Sequence, residues 1–167
     1  MLIFYTDETG DSSLLADGID PPTLRPGTSN FFSLSGVGIR DSSRRPLAES
    51  LIKLKRKHFG AAVEGPWGDT EIKGKFVTQA TPAMRRRIRG TLPRGWESID
   101  SAEKVDALSR DIGLLLDKFR PLVFVIAIDK REMLRVNKTA NPVGVAYTYL
   151  HQRIALTMED LHSGEAA

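Results

Sequence analysis

Leu122-Val123-Phe124-Val125-Ile126-Ala127-Ile128, bounded by Pro121 and Asp129, is the core of the longest apolar run in the chain. It falls far short of the roughly 18 residues a membrane span needs, and its length is that of a strand. Its near-continuous apolar character predicts a strand buried on both faces. Helical patterns flank it. Upstream, Asp100-x-x-Glu103 reads as a capping box, followed by the stripe Val105, Leu108, Ile112, Leu115 and Phe119. Downstream, Asn141-Pro142 opens a helix that turns Val143, Ala146 or Tyr147, Leu150, Ile154 and Leu161 inward. A buried strand between two long helices predicts a sheet covered by helices, the α/β class.

Working outward, Leu2-Ile3-Phe4-Tyr5-Thr6 reads as an opening strand that runs out into the acidic turn Asp7-Glu8-Thr9-Gly10-Asp11. Residues 11–29, with Pro21-Pro22 and Pro26-Gly27, read as a long loop. Phe31–Ile39 is a second strand whose small residues predict something packed closely over it. Leu47, Leu51, Leu54 and His58 then recur at helical spacing, leaving Lys53, Lys55, Arg56 and Lys57 on the outer face. Glu71–Gly74 reads as a short extended piece, and Thr81-Pro82 opens a short helix closed by Gly90.

The 167 residues correspond to a single domain, 1–167, and 41% hydrophobic with 27% charged residues excludes wholesale disorder. Zero cysteines exclude disulfides, thiolate zinc sites and cysteine nucleophiles. MLIFYTDETG lacks the basic start of a signal peptide, so a cytoplasmic location is expected. The net charge of +3 conceals a segregation: residues 40–95 carry fourteen Lys/Arg against five Asp/Glu, whereas the flanks carry ten against sixteen. A basic block in an otherwise acidic chain is the pattern of a polyanion-binding face.

Two predicted strands finish in acid, the first at Asp7-Glu8 and the third at Asp129. Ligands of α/β sheets bind beyond the carboxyl ends of strands, where such acids can converge. Clustered carboxylates repel unless a divalent cation neutralises them, and hard oxygen ligands without His or Cys select Mg²⁺ or Mn²⁺. Two such ions can clamp the attacking and leaving oxygens of a phosphodiester. Asp7 is the expected bridging metal ligand, with Asp129 and Glu71 completing the set and Lys73 contacting phosphate. The competing reading makes the acids soluble turn residues and pairs Glu71 with Lys73. Asp7 and Glu8 can share an ion only if the strand ends before them, because neighbouring strand residues face opposite ways.

The blocks IFYTDETGD (3–11), FFSLSGVGI (31–39), LIKLKRK (51–57), EIKG (71–74) and VFVIAIDK (123–130) resemble, in order and spacing, domain of unknown function 3800. This family of bacterial, archaeal and phage proteins is similar to ribonuclease H in fold. The resemblance covers essentially the whole chain. It implies a ribonuclease-H-like mixed sheet flanked by helices and a metal-dependent nuclease or related phosphodiester-acting enzyme. Its Asp-Glu pair falls on Asp7 and Glu8, its E-x-K on Glu71 and Lys73, and its strand-end acid on Asp129. The family's C-terminal Gln-x-x-Asp motif is missing, since Gln152 is followed three residues later by Ala155. The chain thus resembles the first two-thirds of the domain, incomplete at its C-terminal end.

Arg85, Arg86, Arg87 and Arg89, with Lys55 and Lys57, are the expected nucleic-acid contacts, holding backbone phosphates without reading sequence. Trp96 is the one aromatic near those arginines. His58, His151 and His162 show no metal-ligand spacing, and no G-x-S-x-G pattern supports covalent catalysis. Two alternatives stand beside the enzyme: a catalytically inactive nucleic-acid-binding remnant or accessory subunit, and an interaction protein. In the latter, a partner chain or a second copy would complete an open sheet. No membrane association is expected.

Overall fold

Strand β1 spans Leu2–Thr9, β2 Phe31–Arg40 and β3 Leu122–Asp129. In the computed structural model, which describes residues 1–11, 24, 27–80, 92–137 and 141–164 apart from the side chains of Thr78 and Gln79, they form one sheet in the order β1-β2-β3. β2 and β3 are antiparallel, with Phe31 opposite Asp129 and Gly38 opposite Leu122. A Cβ on Gly10 would lie 2.7 Å from the Phe31 carbonyl oxygen, and one on Gly38 would lie 2.5 Å from Phe4. The end of β1 therefore sits beside the start of β2, and this pair is antiparallel too. The protein is mixed α/β, with five α-helices among the described residues.

The helices are α1 (Asp41–Phe59), α2 (Gly74–Gln79), α3 (Ala102–Phe119), α4 (Lys130–Val136) and α5 (Pro142–Gly164). The chain divides into two compact units: Met1–Ile39 with Pro121–Ala167, and Arg40–Arg120. The first holds the sheet with α4 and α5. The second holds α1, α2, α3 and three short 3₁₀ turns.

In the sheet unit, Phe32, Leu34, Ile128, Ala146 and Leu150 make the core. The predicted close packing over β2 is present. A Cβ on Gly36 would lie 3.1 Å from Leu150 of α5, and Gly38 leaves room for the Phe4 ring, so the two glycines let α5 and β1 approach β2. Asn141 caps α5, its side-chain oxygen accepting the Val143 N–H at 2.9 Å. Of the two alternatives Ala146 and Tyr147, Ala146 is the one turned inward, fully buried, while Leu161, expected inside, is 44% exposed.

β3 is not the doubly buried central strand that its apolar run predicts. It is an edge strand among the described residues, and its side chains alternate: Val123 and Val125 are 60% and 62% exposed, while Ile128 is buried. β2 takes the centre instead. An antiparallel sheet covered on one face needs only alternate apolar residues, so the apolar run carries more hydrophobicity than its place requires. The described sheet is also antiparallel throughout, where a mixed one was expected.

In the helical unit, Leu54, Phe59, Ala80, Trp96, Ile99, Val105 and Leu108 form the core. Trp96 is at its centre, with Phe59 and Phe76 at ring-centroid distances of 5.3 and 5.8 Å. It is fully buried, which removes it as a stacking platform for bases. The stripe of α3 faces this core as the spacing predicts, but the cap shifts by one residue. Ser101, not Asp100, accepts the Lys104 N–H at 3.3 Å, and Asp100 pairs with the Lys104 ammonium at 2.8 Å. Ser and Asp cap about equally well, so the pattern alone does not choose between adjacent ones.

Candidate functional site

Asp7 and Glu8 were expected in a turn beyond β1, yet the strand continues through Thr9. In-strand neighbours alternate faces, so these two side chains leave the sheet on opposite sides and cannot share an ion. Among the described residues β1 is an edge strand, which tolerates charge at consecutive positions that a central strand would bury. Asp7 is exposed, and its Oδ1 accepts the Glu8 N–H at 2.9 Å.

Asp129 ends β3 as expected, and there it caps α4. Its Oδ1 accepts the N–H groups of Arg131 at 2.9 Å and Glu132 at 3.3 Å. The register puts Asp129 opposite Phe31 and Gly10 beside that residue. Asp7 thus lies three residues short of this level, about 10 Å, and two strand spacings, again about 10 Å, to the side. One carboxylate oxygen of each is uncommitted, but at this separation they cannot meet about one ion at the ~2.1 Å of a magnesium–oxygen bond. Among the described residues no three His, Asp or Glu side chains gather as a metal site.

Glu71 and Lys73 belong to the helical unit and pair with each other, Nζ to Oε2 at 3.0 Å. The Trp96 indole N–H donates to the Glu71 carbonyl at 3.0 Å, which anchors this extended stretch to the core. Lys55 needs a correction. It was placed on the outer face of α1 as a nucleic-acid contact, but it is 3% exposed. Its ammonium lies 3.5 Å from both the Trp67 ring centroid and Thr70 Oγ1. Burial lowers the Lys55 pKa below the ordinary lysine value, and the nearby Glu71 charge partly offsets this. The Trp67 ring itself is 67% exposed.

The remaining cations of α1 are outward-facing and mostly paired. Arg44 is 3.9 Å from Asp41, Arg45 is 3.0 Å from Glu49, and Arg56 is 3.2 Å from Glu64. Such exposed pairs contribute only a few tenths of a kcal/mol each, so a polyanion can displace them. Lys53 is exposed. Arg85, Arg86, Arg87 and Arg89, and the predicted helix carrying them, lie outside the described residues.

One constellation is invisible to sequence spacing. The carboxylate of Asp111 on α3 lies 2.7 Å from His58 Nε2 and 2.6 Å from Lys57 Nζ, both on α1. These hydrogen bonds, the Lys57 one foremost, hold the Asp111 pKa below its usual value. The partners are separated by 53 residues in sequence, and only the packing of α1 on α3 brings them together.

A carboxylate whose pKa is depressed on folding adds stability above its unfolded value, about 3.9, and loses that contribution as pH falls through its folded value. Asp111→Asn should therefore lower stability near pH 7 by about 1–2 kcal/mol. The wild-type and variant melting temperatures should differ by several degrees there and converge in acid. A difference that stays constant between pH 7 and pH 2.5 would refute this account of the pair.

No family model, curated protein or solved structure matches the chain. No helix among the described residues is long and apolar enough to cross a membrane.

Proposed function

We propose that this chain is directed at nucleic acid, which it binds through its helical unit, and that it belongs to the metal-dependent nuclease class. The observation that carries this reading is that the chain's charge divides where its fold divides. Residues 40–120 hold eighteen Lys/Arg against eleven Asp/Glu, a net of +7, whereas the sheet unit holds six against ten, a net of −4. Neither length nor folding requires such a partition, and a positive unit lowers the energy of an approaching phosphate backbone.

The resemblance to domain of unknown function 3800, with its ribonuclease-H-like fold, supports the phosphodiester class. The order β1-β2-β3 of antiparallel neighbours is compatible with the opening of such a sheet. Asp7 and Asp129 are hard oxygen donors suited to Mg²⁺ or Mn²⁺, but their separation does not suit one shared ion. A second reading, a sheet completed by a partner or a second copy, is favoured by exposed Val123 and Val125 on edge strand β3.

Fluorescence anisotropy of labelled single- and double-stranded oligonucleotides between 50 and 200 mM salt tests the proposal. Affinity should fall steeply with salt, and replacing Arg85, Arg86, Arg87 and Arg89 together by alanine should flatten the slope by about 3 log units per log unit of salt. Salt-independent binding, or none at 50 mM, would remove the nucleic-acid reading. Asp7→Asn should keep binding and abolish Mn²⁺-dependent cleavage. Binding without cleavage in wild type would leave the inactive, nucleic-acid-binding form of the proposal. A stable dimer without nucleic-acid affinity would favour the partner-completed sheet.

A further inference from the structure

Beside the His58–Asp111 pair the helical unit contains a cavity of about 380 Å³, lined among others by Lys57, His58, Phe59, Ser98, Ile99 and Lys104. No Asp or Glu lines it; the Asp111 carboxylate stands behind the imidazole. The His58 side chain is only 8% exposed. Its Nε2 faces an ionised carboxylate and so donates to it, which leaves Nδ1 as the uncommitted nitrogen. Nδ1 has no hydrogen-bond partner among the described residues, and His58 lines the cavity.

The negative features nearby are the Asp111 carboxylate, held by Lys57 and His58, the Asp100 carboxylate, held by Lys104, and the carbonyl end of α1, which is capped. Ser98 Oγ donates to the His58 carbonyl at 2.9 Å, and the Gly60 N–H donates to the Arg56 carbonyl. Lys57 and Lys104 are 63% and 54% exposed, so Lys57 can turn from Asp111, and Lys104 from Asp100 and the Ser98 carbonyl it holds at 2.9 Å, toward a bound anion.

We propose that this cavity is a binding site for a phosphate dianion, free or as a small phosphomonoester. Lys57 and Lys104 supply the charge, and His58, carrying a proton on each ring nitrogen, donates Nε2–H to Asp111 and Nδ1–H to the phosphate. The site does not depend on the nucleic-acid reading. A diester backbone, with one charge per phosphate and two bulky substituents, matches it less well than a dianion.

Titration of the full chain with inorganic phosphate, followed by calorimetry and by ¹⁵N-detected imidazole resonances, tests this, with sodium chloride at matched ionic strength as the control. Saturable binding with one site is expected, with the His58 Nδ1 resonance moving and the signals of His151 and His162 unchanged. Lys104→Met, at a half-exposed position, and His58→Gln should each weaken binding by about tenfold or more, whereas Lys53→Met should not. Ribose 5-phosphate should compete with phosphate, and a hydroxyl-terminated oligonucleotide should not. An equal response to chloride, an unsaturable titration, a Lys104→Met variant that binds like wild type, or displacement by the oligonucleotide would each overturn the site.

Discussion

Trp96→Ala should cost about 3–5 kcal/mol, the range for emptying a fully buried large aromatic position. The ring is 0% exposed and stands between Phe59 of α1 and Phe76 of α2, so its loss leaves a void lined from both sides. The substitution also strands the Glu71 carbonyl, which the indole N–H holds at 3.0 Å. Trp96→Phe separates the two contributions. It keeps most of the apolar contact and loses the hydrogen bond, so a cost of about 1–2 kcal/mol is expected. Urea unfolding followed by circular dichroism reads both. An alanine variant within 1 kcal/mol of wild type would mean that Trp96 is not the keystone of the helical unit.

The second large effect is expected at Lys130, a lysine with no exposed surface directly after the capping residue Asp129. Its Nζ donates to the Asp11 carbonyl at 2.9 Å, and its backbone N–H donates to the Asn30 carbonyl at 2.9 Å. One residue thus ties the corner between β3 and α4 to the segment leaving β1 and to the approach to β2. Lys130→Ala removes both the buried methylenes and the donor, an expected loss of about 3 kcal/mol. Lys130→Met keeps the volume and strands the acceptor, so about 1–3 kcal/mol should be lost. If methionine were neutral or stabilising in thermal melts, packing rather than the hydrogen bond would account for the burial.

Helix positions were legible because a helix repeats its signal over several turns. The stripe Val105, Leu108, Ile112, Leu115 and Phe119 predicted α3, and its first four residues face the core of the helical unit. The Pro142 start of α5 and the close packing over Gly36 and Gly38 were legible too. Strand context was not. The run at Leu122–Ile128 is equally consistent with a central strand and with an edge strand whose outward face carries valines, and neighbour order lies outside the strand's own residues. The end of β1 differs from its sequence pattern for the same reason, because Asp7 and Glu8 are turn-like by composition yet sit in an exposed stretch of strand.

Charge followed the same division. The sequence alone determined that positive charge gathers in the 40–95 stretch, that the helices would be amphipathic and that cysteine chemistry is absent, because these depend on composition and local period. Only the tertiary structure decided which charges act on what. Lys55 and Lys57 are two residues apart on α1, yet one is buried against Trp67 and Thr70 while the other reaches Asp111. His58 had no legible partner until α3 packed beside α1. An ionisable group's role is set by its solvent exposure and by neighbours within about 4 Å, and those neighbours come from distant parts of the chain.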